Sequence, residues 1–255
     1  DEAGARTRIA TDATWRARPS PNLLLGVWNF MNFGGERWNA AEDAPDWCAP
    51  DYDDSTWAKA AAYAVPLRLS AEMVEPNRLI KEIRPVAVEE IENGAYLVDM
   101  GVNFAGWFQI ELEGRPHAEI TLRFSEDPRK PITHNLRSVC ILGPSGKAVF
   151  KNRFNYAVGR WVRILGLEKK PAPGAIRGWL VRSDYARAGH FECADALLNR
   201  IYETTLWTFE NLSLGGYVVD CPQRERMGYG GDGHATTETG LCNYDLGAFY
   251  TKWAQ

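Results

Sequence analysis

The chain has 255 residues, which suggests roughly two domains at about 150 residues each. Its 29 basic and 33 acidic side chains give a formal charge of −4 without a basic block, so we expect no nucleic-acid partner. Hydrophobic residues at 45% and charged residues at 24% are typical of a folded globular protein, and no apolar run reaches the roughly 18 residues of a membrane span.

Ten tryptophans and ten tyrosines are a large share of such a chain. Aromatic rings pack in the cores of β-sheets, and rings with a polar edge also stack on the C–H faces of sugars. Both uses stay open for these residues. The five cysteines are odd in number and widely spaced, which indicates neither a disulfide framework nor a zinc ribbon. We assign no metal-binding residue and no cofactor to the chain.

The first two thirds of the chain have a β pattern. Residues 1–66 combine strand-like stretches with many turn formers, which is typical of the end of a β-rich unit. Residues 67–185 predict a more complete β-sandwich, because short alternating stretches recur with Gly and Pro between them. A turn is predicted at residues 102–105. The predicted strands of this second unit cover residues 95–101, 106–112, 118–124, 161–165 and 176–181.

The pattern becomes helical from residue 186. Asp195 is a suitable N-cap, and apolar residues then follow a 3.6-residue period as far as a Gly-Gly pair, which predicts one helix. A second helical pattern runs from about His234 to the end. Two helices cannot bury both of their apolar faces alone. Because the sequence also begins at Asp1 rather than Met, we expect it to be part of a longer protein.

The densest cluster of reactive side chains lies between the two predicted helices, in residues 219–234. Its glycines cost conformational entropy, which a close backbone approach or an unusual dihedral angle would explain. Asp220, Glu225 and Asp232 form a candidate set with one proton donor and two groups that position a polar substrate. Flanking arginines would lower the pKa of the donor, so burial must outweigh them if it is to act at neutral pH. The alternative is a surface loop with solvated ion pairs.

Other chemistries fit this cluster poorly. Cys221 as a nucleophile would need a base and a feature that lowers its pKa. Cys221, His234 and Cys242 lack the spacing of a metal site. The glycine-rich residues 228–233 neither follow a strand of a βαβ unit nor end in G-K-[ST], so they do not indicate a phosphate loop.

Residues 220–232, which read DCPQRERMGYGGD, resemble the signature of the bacterial α-L-rhamnosidases, glycoside hydrolase family 78. Further stretches resemble that family at residues 35–57, 98–107, 152–162, 189–193 and 198–202. The resemblance implies a multidomain protein. Its expected parts are the end of a carbohydrate-binding-like β-sandwich over residues 1–66, a jelly-roll-like β-sandwich over 67–185, and the first helices of an (α/α)6 catalytic barrel over 186–255.

The family removes terminal α-linked L-rhamnose by an inverting mechanism. The resemblance implies that Glu225 is the general acid, that Asp220, Arg224 and Asp232 hold the rhamnose hydroxyls, and that Tyr229 lines the pocket. Many members carry an extra Asp between the residues matching Arg224 and Glu225, and this chain lacks it.

Inversion also needs a second carboxylate, the base, about 6.5–9.5 Å from the acid. In the family this base is a Glu beyond position 255, so we expect residues 1–255 alone to be inactive. The expected partner is a rhamnose-containing glycan or glycoside, with no nucleic acid and no membrane. A non-catalytic carbohydrate-binding β-sandwich protein is the alternative, and a related barrel enzyme with another sugar specificity is a third. The aglycone, the oligomeric state, calcium dependence and the compartment (cytoplasmic, periplasmic or secreted) stay open.

Overall fold

The computed structural model describes residues 4, 9–27, 32–92, 94–129 and 134–255. Over these residues the chain is mostly β-sheet, with three α-helices near its C-terminal end. The strands are β1 (Arg16–Ala17), β2 (Asn22–Leu24), β3 (Gly35–Asn39), β4 (Ala58–Lys59), β5 (Asn77–Ile83), β6 (Ala87–Glu92), β7 (Ala95–Glu113), β8 (Glu119–Ser125), β9 (Arg137–Ile141), β10 (Lys147–Lys151), β11 (Ala157–Leu165), β12 (Ile176–Ser183), β13 (Ser213–Leu214) and β14 (Tyr217–Val218). The helices are α1 (Ala196–Leu212), α2 (Gly230–Asn243) and α3 (Gly247–Ala254).

Within the described part of the chain, ten strands form one mixed sheet, in which eight follow the order β2-β3-β9-β8-β11-β7-β12-β5. Their pairing is antiparallel except between β3 and β9, where Gly35 lies opposite Arg137 in a parallel ladder. This ladder hydrogen-bonds residues 35–39 to residues 137–141 in the middle of the chain. β1 with β4, and β13 with β14, form two short separate ladders.

Strand β7 is 19 residues long and changes its neighbours part-way. Its first half pairs with β6 and β11, and its last residues pair with β12 and β10. Gly101 lies in this strand at φ 77°, a left-handed conformation that favours glycine, and its N–H donates to Asp99 Oδ1 at 2.7 Å. The sheet therefore curls around one continuous strand.

The predicted turn at residues 102–105 is wrong, because β7 continues through these residues without reversing. We call this stretch, which follows the left-handed Gly101, the bend of β7. Backbone groups at the bend find partners on α1. Trp207 Nε1 donates to the carbonyl of Asn103 at 2.9 Å, and Ala105 N–H donates to Asn211 Oδ1 at 2.6 Å. Residues 102–105 have a composition that is typical of a turn, but contacts with α1 hold them inside a strand.

The two largest apolar clusters of the described residues hold the fold together. The larger lies inside the curled sheet, where alternate residues such as Phe108 and Ile110 are completely buried while Gln109 between them faces outward. The smaller joins the helices, and its rings of Phe209 and Tyr244 stack at 5.5 Å between centroids. The predicted order of a β-rich part followed by a helical part is confirmed at this level.

Helix α1 begins as predicted, since Asp195 Oδ1 accepts from the N–H groups of Leu197 and Leu198. The single helix predicted from His234 onward is wrong, because α2 already begins at Gly230 and a break at residues 244–246 separates it from α3. No helix in the described ranges is long and apolar enough to cross a membrane.

The break between α2 and α3 follows from pairing with a distant segment. Tyr244 is extended and buried, and it forms a β-bridge with Arg187. The carbonyl of Asn243 accepts the N–H groups of Ala188 and Gly189 at 2.8 and 3.0 Å. These contacts take the place of the helical hydrogen bonds that would continue α2.

Candidate active site

The loop of residues 219–229 connects β14 to α2 and holds most of the predicted site. Its base is closed by two hydrogen bonds between Asp220 and Met227. Asp220 N–H donates to the carbonyl of Met227 at 3.0 Å, and Met227 N–H donates to Asp220 Oδ1 at 3.1 Å. The Asp220 carboxylate is therefore part of the loop's own framework.

The tip of the loop is a tight turn around Cys221. Three successive N–H groups, those of Arg224, Glu225 and Arg226, donate to the Cys221 carbonyl at 3.2 Å each. Arg226 has a φ of 57°, the left-handed conformation that a non-glycine residue rarely adopts. This turn fixes the backbone on both sides of Glu225.

The turn brings two carboxylates and a thiol together. One side-chain oxygen or sulfur atom from each of Asp220, Cys221 and Glu225 lies within 4.8 Å of the other two. Cys221 Sγ donates to Asp220 Oδ2 at 2.8 Å. The Glu225 side chain is 17% exposed, and its Oε1 accepts from Arg224 Nη2 at 2.9 Å. The predicted pairing of Asp220 with Glu225 is thus present in the geometry.

The electrostatics of this cluster differ from group to group. Burial raises the pKa of the Cys221 thiol, and its hydrogen bond to Asp220 adds to the rise. Burial also acts to raise the pKa of Asp220, but hydrogen bonds from Cys221 and Met227 outweigh it, and the pKa of Asp220 is lowered overall. At neutral pH the cluster therefore contains an Asp220 anion beside a neutral thiol.

Tyr229 lies next to Glu225 at the end of the loop. Burial raises the pKa of Tyr229, and the charge of Glu225 and a hydrogen bond to it raise that pKa further. Its ring is nonetheless partly exposed, as a residue that contacts a ligand needs to be. Asp232 lies half-buried in the first turn of α2, where the helix field favours a negative charge.

Arg226 points away from the carboxylates. Its Nε donates to the carbonyl of Pro222 at 2.6 Å, Nη1 to Asn155 Oδ1 at 2.6 Å, and Nη2 to the carbonyl of Tyr156 at 3.0 Å. The guanidinium is buried over the Tyr156 ring at 3.8 Å, and burial lowers its pKa. The expectation that both arginines flank the donor is therefore wrong, and Arg224 alone does so.

A cavity of about 390 Å³ lies beside the loop, between α1 and the bend of β7. Its walls include Asp220 and Cys221 but not Glu225. Glu126 joins the loop to the sheet here, since it accepts from Gln223 Nε2 at 3.0 Å and from Asn103 Nδ2 at 2.8 Å. The sequence alone did not identify Glu126 as part of this region, because no motif surrounds it.

The alternative metal set of Cys221, His234 and Cys242 does not assemble. His234 and Cys242 are exposed on α2. In the described ranges, the one group of three close metal-type side chains is Asp220, Cys221 and Glu225. Within it the thiol donates a hydrogen bond to Asp220, and a metal would need the thiolate instead.

Three family models match this chain. They are the bacterial α-L-rhamnosidase 6 hairpin glycosidase domain over residues 186–255, the bacterial α-L-rhamnosidase concanavalin-like domain over 89–182, and the α-L-rhamnosidase N-terminal domain over 1–81. The chain belongs to the bacterial α-L-rhamnosidase family. The resemblance stated from the sequence is thus confirmed.

Two curated relatives align with nearly the whole of this chain. The α-L-rhamnosidase of Formosa agariphila is 29% identical over 266 residues, covering 99% of this chain and 27% of that protein. The α-L-rhamnosidase of Streptomyces avermitilis is 27% identical over 261 residues, covering 98% of this chain and 25% of that protein. The chain therefore spans about a quarter of the length of these curated relatives.

Solved structures of the family share the fold. The α-L-rhamnosidase from Dictyoglumus thermophilum superposes with a TM-score of 0.83 at 29% identity, covering 95% of this chain and 28% of that one. The Streptomyces avermitilis enzyme, solved in complex with L-rhamnose, superposes with a TM-score of 0.86 at 25% identity, covering 98% of this chain and 25% of that one.

Proposed function

We propose that this protein is a glycoside hydrolase that removes terminal α-linked L-rhamnose from a glycan or a glycoside. The observation that carries the proposal is the pair of carboxylates, Asp220 and Glu225, held together on the loop that leads into α2. Membership of the bacterial α-L-rhamnosidase family supports the sugar, and a neighbour solved with L-rhamnose supports it further.

In this proposal Glu225 is the general acid. It gives its proton to the glycosidic oxygen as the bond to the sugar breaks. Its place beside the exposed ring of Tyr229 supports this role, and so does its side-chain exposure of 17%, which leaves the carboxyl within reach of a bound sugar. Asp220, Arg224 and Asp232 hold the rhamnose hydroxyls, and Tyr229 packs against the sugar.

We further propose inversion, with the base supplied by a carboxylate outside residues 1–255. Asp220 is too close to serve as that base, since its ligand atom lies within 4.8 Å of that of Glu225, whereas inversion requires about 6.5–9.5 Å between the carboxyl groups. Short separations of about 5–5.5 Å belong to retaining enzymes. Asp220 is assigned to binding because hydrogen bonds from Cys221 and Met227 hold both of its oxygens.

Proton NMR of the first product distinguishes the two outcomes. Inversion releases β-L-rhamnose before mutarotation, and retention releases α-L-rhamnose. Release of the α-anomer would overturn inversion and make Asp220 the candidate nucleophile.

The domain layout is proposed on the same basis. Residues 1–66 end a carbohydrate-binding-like β-sandwich, residues 67–185 form a jelly-roll-like sandwich, and residues 186–255 begin an (α/α)6 barrel. The three matched ranges support this order of parts. The parallel ladder of β3 with β9 joins the first part to the second.

Hydrolysis of an aryl α-L-rhamnoside tests the function. The full-length protein should release the aryl alcohol, and residues 1–255 alone should not. Turnover by residues 1–255 would overturn the assignment of the base. A full-length protein that binds rhamnosides without cleaving any would support the carbohydrate-binding alternative instead.

A further inference from the structure

Glu36, which is far from Glu225 in the sequence, is a buried carboxylate with many hydrogen-bond donors around it. Glu36 on β3 has 0% exposure. Its Oε1 accepts the N–H groups of Arg153, Phe154 and Asn155 at 3.0, 3.0 and 2.7 Å. Its Oε2 accepts from Asn22 Nδ2 at 2.9 Å and from Arg153 N–H at 3.0 Å. One side chain thus gathers three consecutive backbone donors of the turn between β10 and β11.

The same turn holds the arginine of the loop. Asn155, which is buried, presents Oδ1 to Arg226 Nη1 at 2.6 Å, and the next residue, Tyr156, presents its carbonyl to Nη2 at 3.0 Å. The Tyr156 ring lies under the guanidinium. The backbone N–H of Asn155 donates to Glu36, and the side chain of Asn155 accepts from Arg226. The turn therefore links the two charged residues through Asn155.

Arg226 in turn sets the backbone beside Glu225. Its Nε donates back to the carbonyl of Pro222 at 2.6 Å, which adds a side-chain hydrogen bond across the same turn. Arg226 itself holds the left-handed φ of 57°. Such a conformation persists when surrounding contacts determine it, and here they come from Pro222 and from the turn between β10 and β11.

We propose that Glu36 and Arg226 are positioning residues for Glu225, acting through the turn at residues 153–156. This inference rests on the proposed function of Glu225. A general acid must come within hydrogen-bond distance of the departing oxygen, and a misplacement of about 1 Å costs on the order of 10²-fold in rate. The sheet that contains the N-terminal segment therefore aligns a proton donor carried by the helical part of the chain.

The first experiment compares two variants of the full-length protein that each remove one carboxylate charge. Glu36→Gln keeps the side-chain size but turns an amide N–H₂ toward backbone donors, which loosens the turn. Asp99→Asn is the matched control, because Asp99 is also a sheet carboxylate, here half-buried, and its hydrogen-bond partners Arg160 and Gly101 N–H both lie in the sheet at 2.7 Å. Both are assayed on an aryl α-L-rhamnoside well below their unfolding temperatures.

We expect Glu36→Gln to lower kcat about tenfold with KM changed less than about twofold, because alignment matters most in the transition state. Asp99→Asn should keep kcat within about twofold of the original protein. Equal kcat values for both variants, after correction for the folded fraction, would overturn the proposal.

A second experiment asks whether the two residues act together. Arg226→Lys keeps the charge but loses the forked contacts to Asn155 and Tyr156. If both residues act through one turn, the kcat losses of Glu36→Gln and Arg226→Lys are not multiplicative in the double variant. Independent, multiplicative losses would contradict the proposal. If Glu36→Gln does not fold, Glu36→Asp takes its place, since it keeps the charge but draws the carboxylate back from the backbone donors of the turn.

Amide hydrogen exchange tests the link from Glu36 through Arg226 to Glu225, which we call the relay, without relying on enzymatic activity. Glu36→Gln should speed exchange of the Glu225 and Arg226 N–H groups, while Asp99→Asn should not. Unchanged exchange at both amides would refute the positioning role even if activity falls. Faster exchange in a full-length protein that cleaves no rhamnoside would instead uphold the relay and reject the proposed function.

Discussion

Asn211 provides a sharp test of how the helical part is fixed to the curled sheet. It is buried in the last turn of α1, where Oδ1 accepts from Ala105 N–H at 2.6 Å and Nδ2 donates to the carbonyl of Trp207 at 2.6 Å. Leucine has the same number of side-chain atoms other than hydrogen and the same branch at Cγ. Asn211→Leu therefore removes the hydrogen bonds and changes the packing little.

The magnitude follows from the group left without a partner. Ala105 has 0% exposure, so water cannot replace Asn211 as the acceptor for its N–H. A buried donor without a partner costs about 1–3 kcal/mol, and we expect a loss of about 2 kcal/mol in the free energy of unfolding. For a chain of this size that corresponds to a fall in Tm of about 4–8 °C.

Thermal and urea unfolding measure this loss, and hydrogen exchange at the Ala105 amide locates it. Thr208→Val on the same helix is the control, because Thr208 is exposed and bonds only the Thr204 carbonyl of its own helix. It should change stability by less than about 0.5 kcal/mol. A similarly small change for Asn211→Leu, with Ala105 still protected from exchange, would refute the reasoning.

Three further predictions concern the sheet and the loop. The Arg160 hydrogen bond lowers the pKa of Asp99, so Asp99→Asn should cost about 1 kcal/mol at pH 7. This stabilisation is complete above the unfolded pKa of about 3.9 and is lost as the pH falls through the lower folded pKa. The difference in unfolding free energy between the two proteins should therefore shrink in acid, and a larger difference in acid would contradict this prediction. Iodoacetamide should alkylate Cys221 more slowly than the exposed Cys48 at pH 7.5, since burial and Asp220 raise the Cys221 pKa, and equal rates measured by mass spectrometry would count against the hydrogen bond. Gly106→Ala should cost about 3 kcal/mol in urea unfolding, because a Cβ there would lie 1.8 Å from the Trp179 carbonyl, whereas Gly174→Ala meets no atom within 4 Å and should be nearly neutral.

Several strands and the start of the first helix could be predicted because their signals are local. Alternation along residues 106–112 and the N-cap at Asp195 depend on neighbours within a few positions. The bend in β7 and the break after α2 could not, since they depend on Asn211 and on the linker around Arg187, far away in the sequence. A period-based argument contains no information on such contacts.

The same distinction applies to the site. The density of charged residues and glycines pointed to residues 219–234, and the pairing of Asp220 with Glu225 follows from a short turn. The direction of Arg226 does not, because its partner Asn155 lies 71 residues away. Glu36 lies 119 residues from Asn155, and sequence reasoning gave it no role.

The most direct test of the central claim is the dependence of Glu225→Gln on the leaving group. A proton donor matters most when the departing oxygen is a strong base, so the variant of the full-length protein should lose about 10²–10⁴-fold in kcat/KM on alkyl α-L-rhamnosides. The loss should be far smaller on a nitrophenyl α-L-rhamnoside, whose leaving group departs without a proton. Glu238→Gln, an exposed carboxamide substitution on α2, serves as the control and should change neither rate. An equal loss on both substrates, or none on either, would contradict the assignment of Glu225 as the general acid.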